Sequence, residues 1–389
     1  INPSRCWKRH LGGLVMGLIN IRLGDYIERS TINNKDLKYG VDLIVGVNSQ
    51  GVFATPKGNT DGVDLKPYKI VENGAFVYNP TRLELGSIAY RTEGLCIVSH
   101  LYMVFYLTDE GKKIIDPMWL YIYFRRSEFC REVKFRNFGS QRPEFNFNDM
   151  SDIIIPLPDI EIQKKYVDVY NAMIENQKSY ERGLNDLKLV CDAYIDKLKH
   201  SKEKVPIGKF IVQIDNRNKK NCTYSFKGLS MDNYFINSIA DSNGLDFSNY
   251  KIVVPGEYGA VLMKVGRDGR LTIARNDSKE NYLISPAYYT FETIGIDSDY
   301  FMANVNRSEF ERRGWFSCDT SARGSLSWEE FLGLSIPNAD EREQEIVAEL
   351  HNILILRTQI NEKLKAQIKD ICPILIKGSI EEARKAKEA

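Results

Sequence analysis

The stretch DIEIQKKYVDVYNAMIENQKSYERGLNDLKLVCDAYIDKLKH, residues 159–200, decides the fold because it carries a heptad repeat and no proline. Apolar side chains alternate at intervals of four and three residues over about five heptads. Nine of the ten positions are non-polar or aromatic and Gln177 is the exception: Tyr166, Tyr170, Met173, Gln177, Tyr180, Leu184, Leu187, Cys191, Tyr194 and Leu198. Such a seam predicts one long helix that pairs with another helix.

A second seam of the same kind lies at 339–378. Its apolar positions are Ile346, Leu350, Ile353, Ile360, Leu364 and Ile371, with Arg357 and Gln367 as interruptions. Pro373 predicts an end or a kink of this helix, and 379–389 is interpreted as a charged C-terminal tail. A lone stripe usually packs on its own domain, but two matched stripes in one chain favour pairing with each other.

The segments before the two helices repeat each other at an almost constant offset. The matching pairs are 21–24 with 205–208, 68–71 with 250–253, 98–102 with 284–288, 126–129 with 307–310, 140–142 with 321–323, 157–158 with 336–337, and Gln163 with Gln344. A period of about 180 residues is too long for a solenoid. We therefore interpret the chain as one module used twice, at 21–158 and 205–338.

Each module combines β-branched runs with Gly, Asn and Asp turns, which predicts short strands and a few helices, one of them over 118–134. The predicted fold class is α/β (α+β): two repeated globular modules joined by a long antiparallel two-helix coiled coil, a pseudo-two-fold dumbbell. A 40-residue helix spans ~60 Å. That length lies between one and two turns of B-DNA at ~35 Å per turn, so the modules could read two separated half-sites.

The composition is that of an ordinary globular chain, with 389 residues, 43% of them hydrophobic, and a net charge of +1. Any case for a nucleic-acid partner must therefore come from local clusters. Seven scattered cysteines without a C-x-x-C pair argue against a zinc ribbon and favour a cytoplasmic location. We interpret 1–20 as an N-terminal extension of artificial or upstream origin, since Met16 is a candidate start. The apolar run 11–19 is broken by glycines and no cleavage site follows it, which argues against a signal peptide.

Basic residues cluster at 112–142, 209–227 and 264–279, where they can neutralise phosphates. The predicted DNA contacts are Asn79, Arg82, Lys134, Arg136, Gln141, Arg142, Lys219, Lys220, Lys264, Arg267, Arg270, Arg275 and Arg323. Arginine can pair with guanine and Asn or Gln with adenine, so Asn79, Arg82, Gln141, Arg267 and Arg270 are the candidate base readers. The alternative is that these clusters are solvated faces, and Arg142 and Arg323 could instead tie each module to its helix through a carboxylate.

Catalytic motifs are weak throughout the sequence. Asp116-Pro117 with Glu132-Val133-Lys134 resembles a nuclease metal site, but a single helix over 118–134 would leave no strand to fix the pair. Asn79-Pro80-Thr81 lacks the second proline and the aromatic of an adenine methyltransferase motif, and no Walker A pattern exists. His10, His100, His200 and His351 are isolated, so we predict neither catalytic residues nor a metal site.

Three stretches resemble the specificity subunit of Type I restriction-modification enzymes. They are GSQRPEFNFNDMSDIIIPLPDIEIQ (139–163), TSARGSLSWEEFLGLSIPNADEREQ (320–344) and YNPTRLELGSIA (78–89), and the resemblance spans the chain from about Asn20 onward. The second module has KVGRDGRLTIA (264–274) where the first has NPTRLELGSIA, so we expect the two modules to read different sequences.

The resemblance implies a non-catalytic subunit whose modules are target-recognition domains for the two halves of a bipartite site in double-stranded DNA. It also implies that the helices at 159–200 and 339–378 dock two methyltransferase subunits, with restriction subunits added. This chain would bind no cofactor itself, and the partners would use S-adenosylmethionine, ATP and Mg. The alternatives are a coiled-coil scaffold that does not bind DNA and the recognition subunit of a related Type IIB-like system.

Overall fold

The computed structural model describes residues 17–56, 58, 60, 62–137, 144–238, 245–263, 265, 269–319 and 324–388. The chain divides into two compact units, Ile1–Ser179 with Glu362–Ala389, and Tyr180–Asn361. Both boundaries fall inside long helices, so each unit takes one part of each helix.

The first unit is built around a four-stranded antiparallel sheet. Its strands are β1 (Ile19–Arg22), β2 (Ile27–Arg29), β3 (Gly46–Val47), β4 (Phe53–Ala54), β5 (Lys69–Val71), β6 (Phe76–Tyr78), β7 (Ile88–Tyr90), β8 (Cys96–Val98), β9 (Met103–Leu107) and β10 (Ile154–Leu157). Its helices are α1 (Asp109–Ile114), α2 (Pro117–Phe124), α3 (Ser127–Arg136), α4 (Phe147–Ser151) and the first part of α5 (Ile160–Ser201). The sheet runs β2-β9-β6-β7, and the pairs β1-β10, β3-β4 and β5-β8 surround it.

The second unit repeats the four-stranded antiparallel sheet of the first and contains a second four-stranded sheet, which includes one parallel strand pair. Its strands are β11 (Lys204–Pro206), β12 (Ile211–Ile214), β13 (Ser225–Leu229), β14 (Phe235–Asn237), β15 (Lys251–Val253), β16 (Tyr258–Val261), β17 (Thr272–Arg275), β18 (Tyr282–Ile284), β19 (Tyr289–Thr293) and β20 (Ser335–Pro337). Its helices are α6 (Ser298–Val305), α7 (Ser308–Phe316), α8 (Trp328–Gly333) and the first part of α9 (Glu341–Glu388). The sheet order β12-β19-β16-β17 and the pair β11-β20 correspond to the first unit, which confirms the repeat.

The match between Gln163 and Gln344 has a structural cause. Gln163 accepts a hydrogen bond from the Asp116 backbone N–H at 2.8 Å, and Gln344 accepts one from the Asp297 N–H at the same distance. Asp116 and Asp297 in turn cap the N-termini of α2 and α6. In both repeats one glutamine therefore connects the start of the long helix to the start of an earlier helix of the same module, α2 or α6.

Within each unit the long helices run antiparallel, as predicted. In the first unit Lys165 lies 2.9 Å from Glu382, so the start of α5 lies beside the end of α9. In the second unit Lys202 lies 2.8 Å from Glu343, so the end of α5 lies beside the start of α9. A Cβ at Gly378 would come within 2.8 Å of the Tyr166 ring, so the helices approach closely there.

Burial follows the predicted seam except at one position. The predicted residues that are buried or half-buried are Tyr166, Tyr170, Met173, Tyr180, Leu184, Leu187, Leu198, Ile346, Leu350, Ile360, Leu364 and Ile371. Ile353 is 45% exposed, because Val347 and His351 carry the buried face in that part of α9. Gln177, the exception in the pattern, is nevertheless buried.

Two further predictions about the helices are wrong. The second long helix does not end at Pro373, and 379–389 is not a separate tail, since α9 continues to Glu388. Leu375, Ile376 and Ala383 are buried beyond the proline, so packing in the first unit stabilises the continued helix. The helix expected over 118–134 is two helices, α2 and α3, separated at Arg125 and Arg126.

His351 is a buried neutral group on α9 in the second unit. Its side chain is 6% exposed, and its Nε2 finds no hydrogen-bond partner among the described residues. The pKa of His351 is lowered from 6.5 to about 4, chiefly because burial disfavours the charged ring; Asp299 opposes this shift and the Arg275 charge adds to it. A cavity of about 70 Å³ adjoins the ring, with Cys191, Ile195 and Val347 in its lining.

Replacing Gln163 by Ala should destabilise the first unit by about 2–4 kcal/mol. Gln163 is fully buried and also donates to the Ile114 and Pro158 carbonyls, so its loss leaves three buried backbone groups unpaired. Urea unfolding of the full chain measures the change, with the exposed Gln50→Ala as control. Equal midpoints for the two variants would contradict this role.

The free energy of unfolding should fall as the pH drops from 6.5 towards 4. The unfolded chain binds a proton at His351 near pH 6.5, whereas the folded chain does so only near pH 4. The maximum loss is about 3 kcal/mol. Denaturant titrations across this range should show a flatter profile for His351→Leu than for wild type. The exposed His200→Leu serves as control and should keep the wild-type slope.

Candidate nucleic-acid interface

A short turn after β12 presents Lys219 and Lys220 to solvent. The side chain of Asn218 closes this turn, because its Oδ1 accepts from the Cys222 N–H at 2.8 Å and its Nδ2 donates to the Cys222 carbonyl at 3.0 Å. Asn218 is 1% exposed, and its backbone N–H donates to the Tyr250 carbonyl. A buried amide therefore holds two exposed ammonium groups on a fixed turn.

The first unit contains the same device. Asn34 is also 1% exposed; its Oδ1 accepts from the Tyr39 N–H and its Nδ2 donates to the Tyr39 carbonyl. Its backbone N–H donates to the Tyr68 carbonyl, at the position that matches Tyr250. Lys35 and Lys38 are exposed on this turn. We call residues 34–39 and 218–222 the lysine turns.

Both lysine turns contain a residue with a left-handed backbone conformation, Leu37 with φ 52° and Asn221 with φ 50°. Such a conformation is uncommon outside glycine, so the surrounding hydrogen bonds must hold it in place. Sequence analysis found Lys219 and Lys220 but missed Lys35 and Lys38. The signal was an asparagine directly followed by lysine, 34 residues before the segment 68–71 and 32 residues before the matching segment 250–253.

A second cluster in the first unit surrounds α3. The helix packs on the 3-10 helix Leu83–Leu85, and Arg82 is exposed at the start of that turn. Arg125 donates to the Gly86 carbonyl at 2.5 Å and to the Ser49 carbonyl at 3.4 Å, which fixes two surface turns beside the helix. Asn79 shapes the same turn by accepting from the N–H and hydroxyl of Thr81.

The other residues predicted to contact DNA differ in exposure and in whether a carboxylate of the protein already pairs with them. Lys134 is exposed and lies one turn from the helix end. Arg136 pairs with Glu132 at 2.8 Å, so a phosphate would compete with that carboxylate. In the second unit Arg270 lies 3.4 Å from the buried Glu311 of α7 and is half exposed.

Arg275 is held inside the second unit and does not stand free on its surface. Its guanidinium lies 2.6 Å from Asp299 and also contacts Asp277, and its side chain is 19% exposed. Burial would lower the pKa of Arg275, but the two carboxylates outweigh burial and raise it. This arginine joins β17 to α6 and is a poor candidate for a DNA contact. Gln141, Arg142, Lys264, Arg267 and Arg323 lie outside the described residues.

Another arginine ties the second module to its helix. Arg307, at the start of α7, pairs with Asp192 at 3.1 Å and with Asp196 at 2.7 Å, both on α5. The hydrogen bond from Arg307 holds the pKa of Asp196 below its usual range. Lys199 and Glu309 extend the network. Sequence analysis matched 126–129 with 307–310 but assigned this kind of role only to Arg142 and Arg323.

The residues of the nuclease-like motif have structural partners. The Asp116 carboxylate accepts from the Met118 and Trp119 N–H groups as a helix cap, and Glu132 pairs with Arg136. In the part of the chain that the structure describes, no three potential metal ligands come together. None of the helices described there is long and apolar enough to cross a membrane.

The first half of the chain is similar in sequence to a known domain family. Residues 18–188 match the model of the Type I restriction modification DNA specificity domain. No curated relative matches the sequence at a significant level.

Three solved structures are similar to the chain. A Type-I restriction-modification system S subunit from M. genitalium is 11% identical with a TM-score of 0.52 and covers 95% of this chain and 98% of its own. The HsdS subunit from Thermoanaerobacter tengcongensis is 15% identical with a TM-score of 0.39, and the match covers 95% of this chain and 98% of that subunit. A chain from a structure that concerns complex assembly and conformational transition of the type I R-M system is 16% identical with a TM-score of 0.47, and the match covers 94% of this chain and 97% of that one. The M. genitalium structure supports the fold, and the match over 18–188 identifies this part of the chain as a Type I restriction modification DNA specificity domain.

Proposed function

We propose that each unit reads one half of a bipartite site in double-stranded DNA, with its lysine turn as a phosphate anchor. The duplicated turn carries this proposal, because Asn34 and Asn218 are both buried and both hold lysines at the surface. Lysine contacts to phosphate position a protein on the duplex without reading its sequence. One anchor in each unit fits one contact region in each half-site.

Sequence preference then requires side chains that differ between the units. The first unit presents the turn with Arg82 beside α3, whereas the second has the hairpin of β13 and β14, whose strand β13 also pairs in parallel with β18. We propose that the two half-sites therefore differ in sequence. Arg82, Lys134, Arg270 and the basic residues outside the described ranges remain proposed contacts, and Arg275 does not.

We propose that the chain itself is not an enzyme. Asp116 serves as a helix cap, Glu132 is paired, and burial lowers the pKa of His351 to about 4, so these groups have structural roles. S-adenosylmethionine, ATP and Mg would then belong to the partner subunits. A subunit that binds the cell's own DNA would work in the cytoplasm.

The surface of the long helices supports a role in docking methyltransferase subunits. In the second unit Leu189 and Val190 of α5 are 67% and 54% exposed, and Ile353 and Leu356 of α9 are 45% and 56% exposed. Ile353 and Leu356 are three residues apart and share a helix face. Exposed apolar side chains on a face of this kind favour a protein partner over solvent.

Deleting the gene should abolish adenine methylation at a bipartite motif with two short specified halves around an unspecified gap. Single-molecule methylation sequencing of the host genome, with the gene intact and deleted, measures this directly. Complementation with Lys35→Ala/Lys38→Ala or Lys219→Ala/Lys220→Ala should restore less methylation than wild type does.

In purified protein each lysine-turn pair should lower the slope of log affinity against log salt by about 0.9 per lost phosphate contact. The matched control is Lys164→Ala/Lys178→Ala, two exposed lysines on α5. If turn and control variants behave alike and methylation is unchanged by deletion, the scaffold alternative is favoured.

Replacing Ile353 and Leu356 by Ser should weaken co-purification with the methyltransferase subunit at least tenfold, because buried apolar interface area would be lost. The control Ile294→Ser removes an apolar side chain that is 52% exposed in the same unit. Pull-down of the co-expressed subunit, with circular dichroism as a check of folding, gives the comparison. Equal recovery with both variants would place the docking surface elsewhere.

A further inference from the structure

Two phenylalanines stand almost fully in solvent at equivalent places in the two units. Phe135 of α3 is 82% exposed and Phe316, the last residue of α7, is 76% exposed. Each lies nine residues after the arginine that opens the matched segments 126–129 and 307–310. The two rings therefore occupy the same position in the repeat.

Packing within the units does not account for these rings. The helix α3 buries Phe129 and Val133, and α7 buries Phe310 and Gly314, on the faces turned to the cores. A single exposed apolar side chain needs no explanation. The same aromatic residue exposed at the same position of both repeats, although the surrounding sequences differ, indicates a function outside the units.

The neighbouring charges favour nucleic acid as the partner. An exposed arginine precedes each ring by four residues, Arg131 before Phe135 and Arg312 before Phe316, so guanidinium and ring lie on one helix face. In the first unit Lys134 adds a second exposed cation. In the second unit Trp315 contacts Phe316 with ring centroids 5.1 Å apart and enlarges the aromatic surface.

We infer that Phe135 and Phe316 contact the bases of their own half-sites while Arg131 and Arg312 contact the adjacent phosphates. Aromatic rings stack on bases or wedge between base steps, and arginine neutralises phosphate. Arg131 lies 3.5 Å from Glu128, so in the first unit a phosphate would compete with that carboxylate. This inference rests on the proposed function, since it assigns residues within the same DNA-binding surfaces.

The test uses the full chain and a duplex recovered by wild type from a random-sequence pool. Phe135→Ala and Phe316→Ala should each bind that duplex about tenfold more weakly, as expected for loss of one aromatic contact with bases. The slope of log affinity against log salt should stay unchanged, because no charge is removed. Repeated selection with each variant should relax the preference in one half of the site and leave the other half intact.

Two sets of variants give the controls. Leu101→Ala and Ile294→Ala remove side chains that are 66% and 52% exposed in the first and second units, and they should bind like wild type. Arg131→Ala and Arg312→Ala should instead lower the salt slope by about 0.9 each.

Wild-type affinity of both phenylalanine variants for the selected duplex would overturn the inference, while the selection itself would still support DNA recognition. Loss of methyltransferase co-purification with unchanged DNA affinity would also overturn it, by assigning the rings to a protein partner. If wild type recovers no preferred sequence, the proposed function fails together with the inference.

Discussion

The first unit depends on burial of the apolar face of α2. Residues of the module at 21–158 cover only part of this face, and the end of α9 covers the rest. Trp119 is fully buried and donates from its indole nitrogen to the hydroxyl of Ser379, which lies 260 residues further along the chain. Cys372, Leu375 and Ile376 complete the same core. The C-terminal end of α9 is therefore part of the first unit, and this is why the helix continues beyond Pro373. These contacts join residues about 250 positions apart in sequence, which raises the contact order of the first unit.

In the second unit an ion-pair network adds to the apolar packing of Ile195 and Leu198 that attaches the module to α5. In the second unit Arg307 bridges Asp192 and Asp196, and the hydrogen-bonded arginine lowers the pKa of Asp196. The matching Arg126 lies over the Tyr123 ring at 3.7 Å and donates to the carbonyl of that residue. An ion-pair network of partly buried groups weakens when its carboxylates are protonated, whereas apolar packing does not.

The sequence predicted the repeat, the presence of short strands and the buried stripe of each long helix, because periodicity reports burial directly. It misplaced Ile353 because heptad spacing alone cannot tell which of two adjacent apolar positions faces the partner helix. Arg275 was predicted as a DNA contact because its carboxylate partner Asp299 lies 24 residues away in sequence, and the two residues meet only in the folded chain. Lys35 and Lys38 were missed because the local cluster around them contains Asp36, which hides the positive charge from a simple count. Burial follows from pattern, but the pairing of charges depends on tertiary contacts.

A net charge of +1 is compatible with the proposed DNA binding, because buried polar side chains hold the lysines of the two lysine turns in place at the surface. The side-chain oxygen and nitrogen of Asn34 both bond the backbone of Tyr39, and those of Asn218 both bond the backbone of Cys222. Each turn therefore keeps its shape without a ligand. A preformed turn loses little conformational freedom on binding, so in the proposed role its lysines would contribute more of their electrostatic free energy to affinity. Many basic residues elsewhere are already paired within the protein, as Arg275 and Arg307 are. What distinguishes the proposed DNA surface is the small set of cations that the fold positions but leaves exposed.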